Sequence, residues 1–267
     1  MPKHDNSPLE YEERAVLFLD FLGFRETINS TLVDPSRIAE VVWAINRLRS
    51  IARQKEFFKS QQVTQFSDCV VVSYRCDEPS AAFDLITEIG FAVIDLVARG
   101  FLVRGGVAIG KLIHTDDYIF GPAMNEAYDL ESKCAIYPRV LISDRLFDVA
   151  RSAPAAHHDA NDEQAYVAAY LAQDSDGCHY LDYVPWRAVV EVNGIDNDDY
   201  AKYLVSIAGI LKRGLSVQSP EVRLKYRWLY EKYAAEVRKF RAIGADDRWA
   251  KSNAELHEAI CALPLDF

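Results

Sequence analysis

Apolar positions in this chain fall into short runs with two different periods. Ala15-Val16-Leu17-Phe18-Leu19 is apolar throughout, the pattern of a strand buried on both faces; it stops at Asp20, with Gly23 close behind. Ile38, Val41, Val42, Ile45, Leu48 and Ile51 recur at helical spacing behind Asp34-Pro35, a cap residue followed by proline at the first helical position. Val63 to Tyr74 reads as two β-rich arms around a tight turn at Asp68. Pro79-Ser80 opens a second helix with Phe83, Ile86, Ile89, Val93 and Leu96 on its inner face. From Phe101 to Ile109 the period returns to two. Phe101, Val103, Gly105, Val107 and Ile109 lie on one side, and Leu102, Arg104, Gly106 and Ala108 on the other. A strand around Tyr118, a helix from Pro122 to about Cys134 and a strand at Arg139-Val140-Leu141-Ile142 follow.

The order strand, helix, hairpin, helix, strand is that of a ferredoxin-like α+β sheet. In that topology the first strand is central and antiparallel to the second arm of the hairpin. Its C-terminal end then meets the hairpin turn, which brings Asp20 and Asp68 together. From about Ala153 to Asp199 the composition shifts: 154–163 is small and polar and reads as a loop, and Asn193-Gly194-Ile195-Asp196-Asn197-Asp198-Asp199 is a second break. Beyond it a helical tail carries Val222, Tyr226, Leu229, Tyr233, Val237 and Phe240 on one apolar face. The chain therefore divides into a main domain over 12–192 and a C-terminal helical extension over 193–267. There is no internal repeat and no low-complexity segment.

Length and composition narrow the class. At 267 residues, half of them hydrophobic, the chain can build one large domain or one domain with an appendage. No run approaches the roughly 18 apolar residues of a membrane-spanning helix. Met1-Pro2-Lys3-His4-Asp5-Asn6 lacks the apolar core of a signal peptide. A net charge of -10 argues against nucleic acid and anionic membrane as partners. The cysteines, Cys69, Cys76, Cys134, Cys178 and Cys261, are odd in number, scattered and without zinc spacing, which fits a cytoplasmic location.

Four motifs then occur in order: Phe18-Leu19-Asp20-Phe21-Leu22-Gly23-Phe24, Phe66-Ser67-Asp68, Val103-Arg104-Gly105-Gly106-Val107-Ala108-Ile109-Gly110, and Tyr118-Ile119-Phe120-Gly121-Pro122-Ala123-Met124-Asn125-Glu126-Ala127. Together they resemble the catalytic domain of class III nucleotidyl cyclases, most clearly over residues 12–150. The polar departures, and the tail with Lys225-Tyr226-Arg227-Trp228-Leu229-Tyr230, look closer to the bacterial pyrimidine cyclases of the Pycsar anti-phage systems.

The resemblance implies a homodimer with active sites at the subunit interface, in which a ribose 3′-hydroxyl attacks its own α-phosphorus. Asp20, Asp68 and the backbone carbonyl of Phe21 would hold two divalent ions, Mn²⁺ or Mg²⁺. The turn Phe21-Leu22-Gly23-Phe24 would direct backbone N–H groups at phosphates, glycine allowing close approach. Arg104, on the strand side that otherwise carries Gly106 and Ala108, matches the arginine that contacts the triphosphate, and Asn125 matches the asparagine that positions the ribose. Four residues on, the family arginine that stabilises the transition state is replaced by Asp129; Arg104, Lys111 and Lys133 are the candidate substitutes.

The base-reading positions are Thr64 and Tyr118, where adenylate cyclases carry a lysine and an acidic or hydroxyl partner. Losing the lysine removes the adenine donor, tyrosine narrows the pocket, and a threonine hydroxyl can both donate to and accept from a pyrimidine edge. The expected substrate is UTP, giving cyclic UMP. A cytidylate, adenylate or guanylate cyclase, or an inactive nucleotide-binding homologue, are the alternatives. His157-His158-Asp159 resembles a metal tract but reads as a solvated loop without ligand spacing.

Overall fold

The computed structural model describes residues 9–52, 58–244 and 246–267; residues 1–6, read above for a leader, lie outside the described residues. β1 (Glu12–Phe21) leads into α1 (Phe24–Val33) and α2 (Ile38–Arg49), the hairpin β2 (Gln62–Phe66) and β3 (Cys69–Arg75), α3 (Ala81–Ala98) and the long β4 (Val103–His114). β5 (Ile119–Phe120), α4 (Pro122–Asp129), β6 (Val140–Ile142), α5 (Arg145–Ser152), α6 (Ala160–Ala169), β7 (Leu171–Gln173) and β8 (His179–Leu181) follow. The tail comprises α7 (Asn197–Leu215), α8 (Pro220–Ala242), α9 (Arg248–Ser252) and α10 (Ala254–Cys261).

Across the sheet the order is β2, β3, β1, β4, β6, β8, β7, with β5 paired on β4. β4 and β6 run parallel and the other pairs antiparallel. The first four strands in that order are the ferredoxin-like core, and the fold is α+β. β1 is central, which its unbroken apolar run requires: Ala15 through Leu19 are all buried. Its register places Asp20 opposite Cys69 of β3 and opposite Arg104 of β4.

The two faces of the sheet are covered unequally. On one, Leu17, Leu19, Val72 and Val107 join Leu48 of α2 and Leu85, Ile89 and Leu96 of α3 in the main core. Tyr200, Leu204, Ile207 and Leu211 of α7, and Leu229, Tyr233 and Val237 of α8, belong to the same core, so the tail is packed against the sheet domain's helices. On the other face a small cluster, Val16, Phe18, Val71, Ala108 and Leu112, sits beneath Ala123 and Ala127 of α4. No helix among the described residues is long and apolar enough to cross a membrane.

Three local readings differ from the pattern. The inner stripe of α2 is Val41, Ala44 and Leu48, while Ile38 and Val42 are half exposed. Several stripes fit six apolar positions on one helix, and only the neighbouring α3 chooses among them. The segment expected as a loop over 154–163 turns helical at Ala160, because Asp159 caps α6 by accepting from the N–H groups of Asn161 and Asp162. His158 is not solvated either: its Nδ1 lies 2.5 Å from the buried carboxylate of Glu163.

The helix from Pro122 continues past α4 as a π-helical turn, Leu130–Cys134. It lies directly on Gly106: a Cβ there would stand 2.5 Å from Leu130 Cβ and 2.8 Å from the Ala127 carbonyl. Gly106→Ala should therefore lift α4 from the sheet and destabilise the protein by about 1–3 kcal/mol, a fall in Tm of roughly 2–12 °C. A thermal melt matching wild type would refute this close packing.

Candidate active site

The site forms where β1 ends. Asp20 points to the α4 face of the sheet, while the next side chain, Phe21, turns into the core and stacks on Phe24 with ring centroids 5.5 Å apart. Strand alternation thus separates the two: Asp20 offers its carboxylate and Phe21 only its backbone carbonyl. The Leu22 N–H is held by the Leu102 carbonyl at 2.8 Å. Gly23 then takes φ 77, a left-handed conformation suited to glycine, and caps α1, whose first turn follows at once. The open N–H groups of that first turn lie immediately after Asp20 in the chain.

Asp68 reaches the same place from the hairpin. Phe66 pairs with Cys69, leaving Ser67-Asp68 as a two-residue turn, and Ser67 adopts φ 53. A non-glycine residue there costs roughly 1 kcal/mol. The adjacency expected from topology is present: Asp20 faces the residue next to Asp68, and the charge of Asp68 acts on the Asp20 carboxyl. Burial, then the negative charges of Asp68 and Glu131, push the Asp20 carboxyl up to about 7 against the opposing pull of Arg104. The Cys69 thiol between them is raised by burial and by the same two aspartates.

Arg104 closes the site from β4. Its Nη2 lies 3.6 Å from Asp20 Oδ2, and its Nε lies 2.6 Å from Glu131 Oε1. The second contact is an ion pair by distance, but the N–H does not point along it, so charge and not a directed hydrogen bond holds it. Burial raises the Glu131 carboxyl while Arg104 opposes the rise. Glu131 was not legible in the sequence. Only the π-turn on Gly106 brings this acidic residue under Arg104, and π-turns are frequent at functional sites.

The other expected residues lie apart from this centre. Thr64, on the same sheet face, is half-buried, and its Oγ1 is 3.0 Å from His114 Nε2. Tyr118 precedes β5, 55 % exposed, with its N–H donating to Thr115 Oγ1 at 3.0 Å. Asn125 lies on the exposed side of α4. Asp129 pairs with Lys133 at 2.8 Å, also on the surface. Lys111 reaches Glu13 near the far end of β1, a strand length of about 23 Å from Asp20 at 3.3 Å per residue. Arg104 is thus the one of the three candidate cations that sits beside Asp20.

Among the described residues no three His, Cys, Asp or Glu side chains form a cluster able to hold a metal ion by themselves. The Asp20–Asp68 pair still suits divalent cations that also bind a polyphosphate. Two hard oxygen donors, crowded enough to hold a proton near neutrality, gain from any cation that takes the proton's place. The sign of the pH dependence follows. An unfolded aspartate titrates near 3.9, so the metal-free protein loses stability as pH rises from about 4 towards 7 and Asp20 becomes charged. Asp20→Asn should melt several degrees above wild type at pH 8, with the gap closing by pH 4. Mn²⁺ should raise the melting temperature of wild type at pH 8 more than at pH 5. Parallel melting curves for the two proteins across that range would refute the crowding.

No family model matches the chain, and no curated protein matches it. Among solved structures, it is similar to the adenylyl cyclase CyaB from P. aeruginosa: 18% identity, 54% of this chain and 83% of that one, TM-score 0.44. It is similar to the guanylate cyclase domain of RhGC from Catenaria anguillulae in complex with GTP: 14% identity, 65% and 97%, TM-score 0.42. It is also similar to a class III adenylyl cyclase-like ATP-binding protein from Pseudomonas aeruginosa: 17% identity, 63% and 43%, TM-score 0.40.

Proposed function

We propose that this protein is a nucleotidyl cyclase of the class III type, converting a pyrimidine ribonucleoside triphosphate, UTP in the first instance, to its 3′,5′-cyclic mononucleotide and pyrophosphate. The observation that carries the reading is the meeting of Asp20, Asp68 and Arg104 at one strand end, beside the start of α1. In the reaction the ribose O3′–Pα bond forms, the bond from Pα to the bridging oxygen breaks, pyrophosphate leaves, and the 3′-hydroxyl loses its proton.

Asp20, Asp68 and the carbonyl of Phe21 would hold two divalent ions, Mn²⁺ or Mg²⁺, which when bound acidify the hydroxyl and offset the triphosphate charge. The chain's own groups do the rest. The turn 21–24 cradles phosphate through backbone N–H groups. Arg104, already oriented by Glu131, binds phosphate oxygens and takes the charge-stabilising part that Asp129 cannot. Asn125, supplied by a second copy, orients the ribose, and Thr64 and Tyr118 read the base. In a cell such a product would act as a second messenger, in keeping with a role in anti-phage defence.

Asp129, tied to Lys133, favours one competing reading, a homologue that binds nucleotide without turnover. Incubating the purified protein with each of the four ribonucleoside triphosphates and Mn²⁺, and identifying products by mass, separates the two. Cyclic UMP as the main product is the expected result. No cyclic product from any triphosphate would leave the binding protein.

A further inference from the structure

A second polar system lies on the same sheet face and has no part in the metal–phosphate end of the site. Arg14 is buried on β1, where a charge is costly to hide, and every arm of it is tied down. Its Nη1 donates to Glu12, its Nη2 to the carbonyls of Ser60 and Ser73, and its Nε to Ser73 Oγ at 2.9 Å. Ser73 Oγ in turn lies 2.8 Å from His114 Nδ1, and His114 Nε2 lies 3.0 Å from Thr64 Oγ1. Arg14, Ser73 and His114 are all buried; Thr64, at the end of the chain of contacts, is only half so.

The direction of this chain is set at its buried end. A guanidinium can only donate, so Ser73 Oγ accepts from Arg14. Ser73 then has one proton to give, and its hydroxyl has no partner besides Arg14 and His114 among the described residues. Were His114 to donate from Nδ1, the fully buried Ser73 proton would be left without an acceptor, at a cost equivalent to about a tenfold or greater preference against that arrangement. Ser73 therefore donates to Nδ1. With Nδ1 accepting, the imidazole carries its proton on Nε2. Nε2 then donates to Thr64 Oγ1, which leaves the Thr64 proton for a different acceptor. A hydroxyl that accepts from a buried donor becomes a better donor itself.

We propose that the Arg14–Ser73–His114 chain locks Thr64 as a hydrogen-bond donor towards the base, and so selects a pyrimidine presenting a carbonyl oxygen over one presenting an amino group: UTP over CTP. The inference rests on the cyclase reading, in which Thr64 faces the base, and it refines that reading by removing the freedom a lone threonine hydroxyl would have. Ser73 and His114 are positioning residues here; neither touches the nucleotide.

Two measurements test it. Nitrogen-15 NMR of the histidine rings in the wild-type protein should show His114 as the neutral Nε2–H tautomer. The Nδ1–H tautomer or an imidazolium at pH 7.5 would overturn the proposal whatever the enzyme makes. Separately, the ratio of kcat/KM for UTP to that for CTP should be about tenfold or more in wild type. It should collapse towards one in Ser73→Ala and in Thr64→Val, and be restored by Ser73→Thr and Thr64→Ser, which return the hydroxyl. Preference for CTP in wild type, or an unchanged ratio in both hydroxyl-deleted variants, would overturn the lock while leaving the cyclase reading intact. If no triphosphate is cyclised, that reading fails, and the lock is read by equilibrium binding of the α,β-methylene analogues of UTP and CTP with Mn²⁺. Equal binding of the two, or binding of neither, overturns it.

Discussion

Asp68→Asn is expected to reduce cyclisation by about a thousandfold or more, equivalent to roughly 4 kcal/mol of transition-state stabilisation, while the fold survives. The substitution keeps the shape of a side chain at a two-residue turn and removes one of two carboxylates that meet there. Asparagine is well tolerated in turns, so the hairpin has no reason to open. The variant should also relieve Asp20, whose proton is retained partly because Asp68 is charged, and the melting temperature at pH 8 should hold or rise. Mass-resolved product formation under Mn²⁺, measured beside a thermal melt, checks both halves. Turnover within tenfold of wild type would show that Asp68 holds no essential cation.

Mixing two inactive variants should restore activity. Asp20 and Asp68 lie together on one chain, but Asn125 is exposed on α4 and Tyr118 is exposed ahead of β5. If a second copy supplies Asn125, an Asp20→Asn homodimer and an Asn125→Ala homodimer each lack an intact site. A heterodimer of the two carries one site with both changes and one with neither. Random exchange makes about half the dimers mixed, each with one working site of two, so recovery of about a quarter of wild-type activity per chain is expected from the two-fold symmetry. Titrating one variant into the other and assaying cyclic product gives the curve. Activity that stays at background after exchange has been verified by mixed-tag pulldown would place all four residues in a single chain's site.

What could be read from residues alone was set by local physics. β1 had to be a central strand because Ala15–Leu19 is apolar at every position and both faces must be covered. Period-two alternation over 101–109 put Arg104, Gly106 and Ala108 on one side, as they are. The order of elements implied a ferredoxin-like sheet, and that topology already required the end of β1 to meet the β2–β3 turn, so the neighbourhood of Asp20 and Asp68 followed from connectivity. Ile86, Ile89, Val93 and Leu96 of α3, and Leu229, Tyr233, Val237 and Phe240 of α8, are buried as their spacing requires, although burial on α3 extends well beyond that stripe.

What the chain alone could not show depended on contacts between residues far apart in sequence. Glu131 reaches Arg104 only because Gly106, lacking a side chain, lets a π-turn lie flat on β4. The helix cap at Asp159 and the pairing of His158 with Glu163 turned an apparent loop into the start of α6, a competition between local polarity and a buried carboxylate that composition does not report. Arg14, Ser73 and His114 stand 59 and 41 residues apart along the chain, on three different strands, with nothing local to link them. Periodicity decides which side of an element faces inward; which polar groups then meet, and in which direction their hydrogen bonds run, is decided by strand register and by close packing.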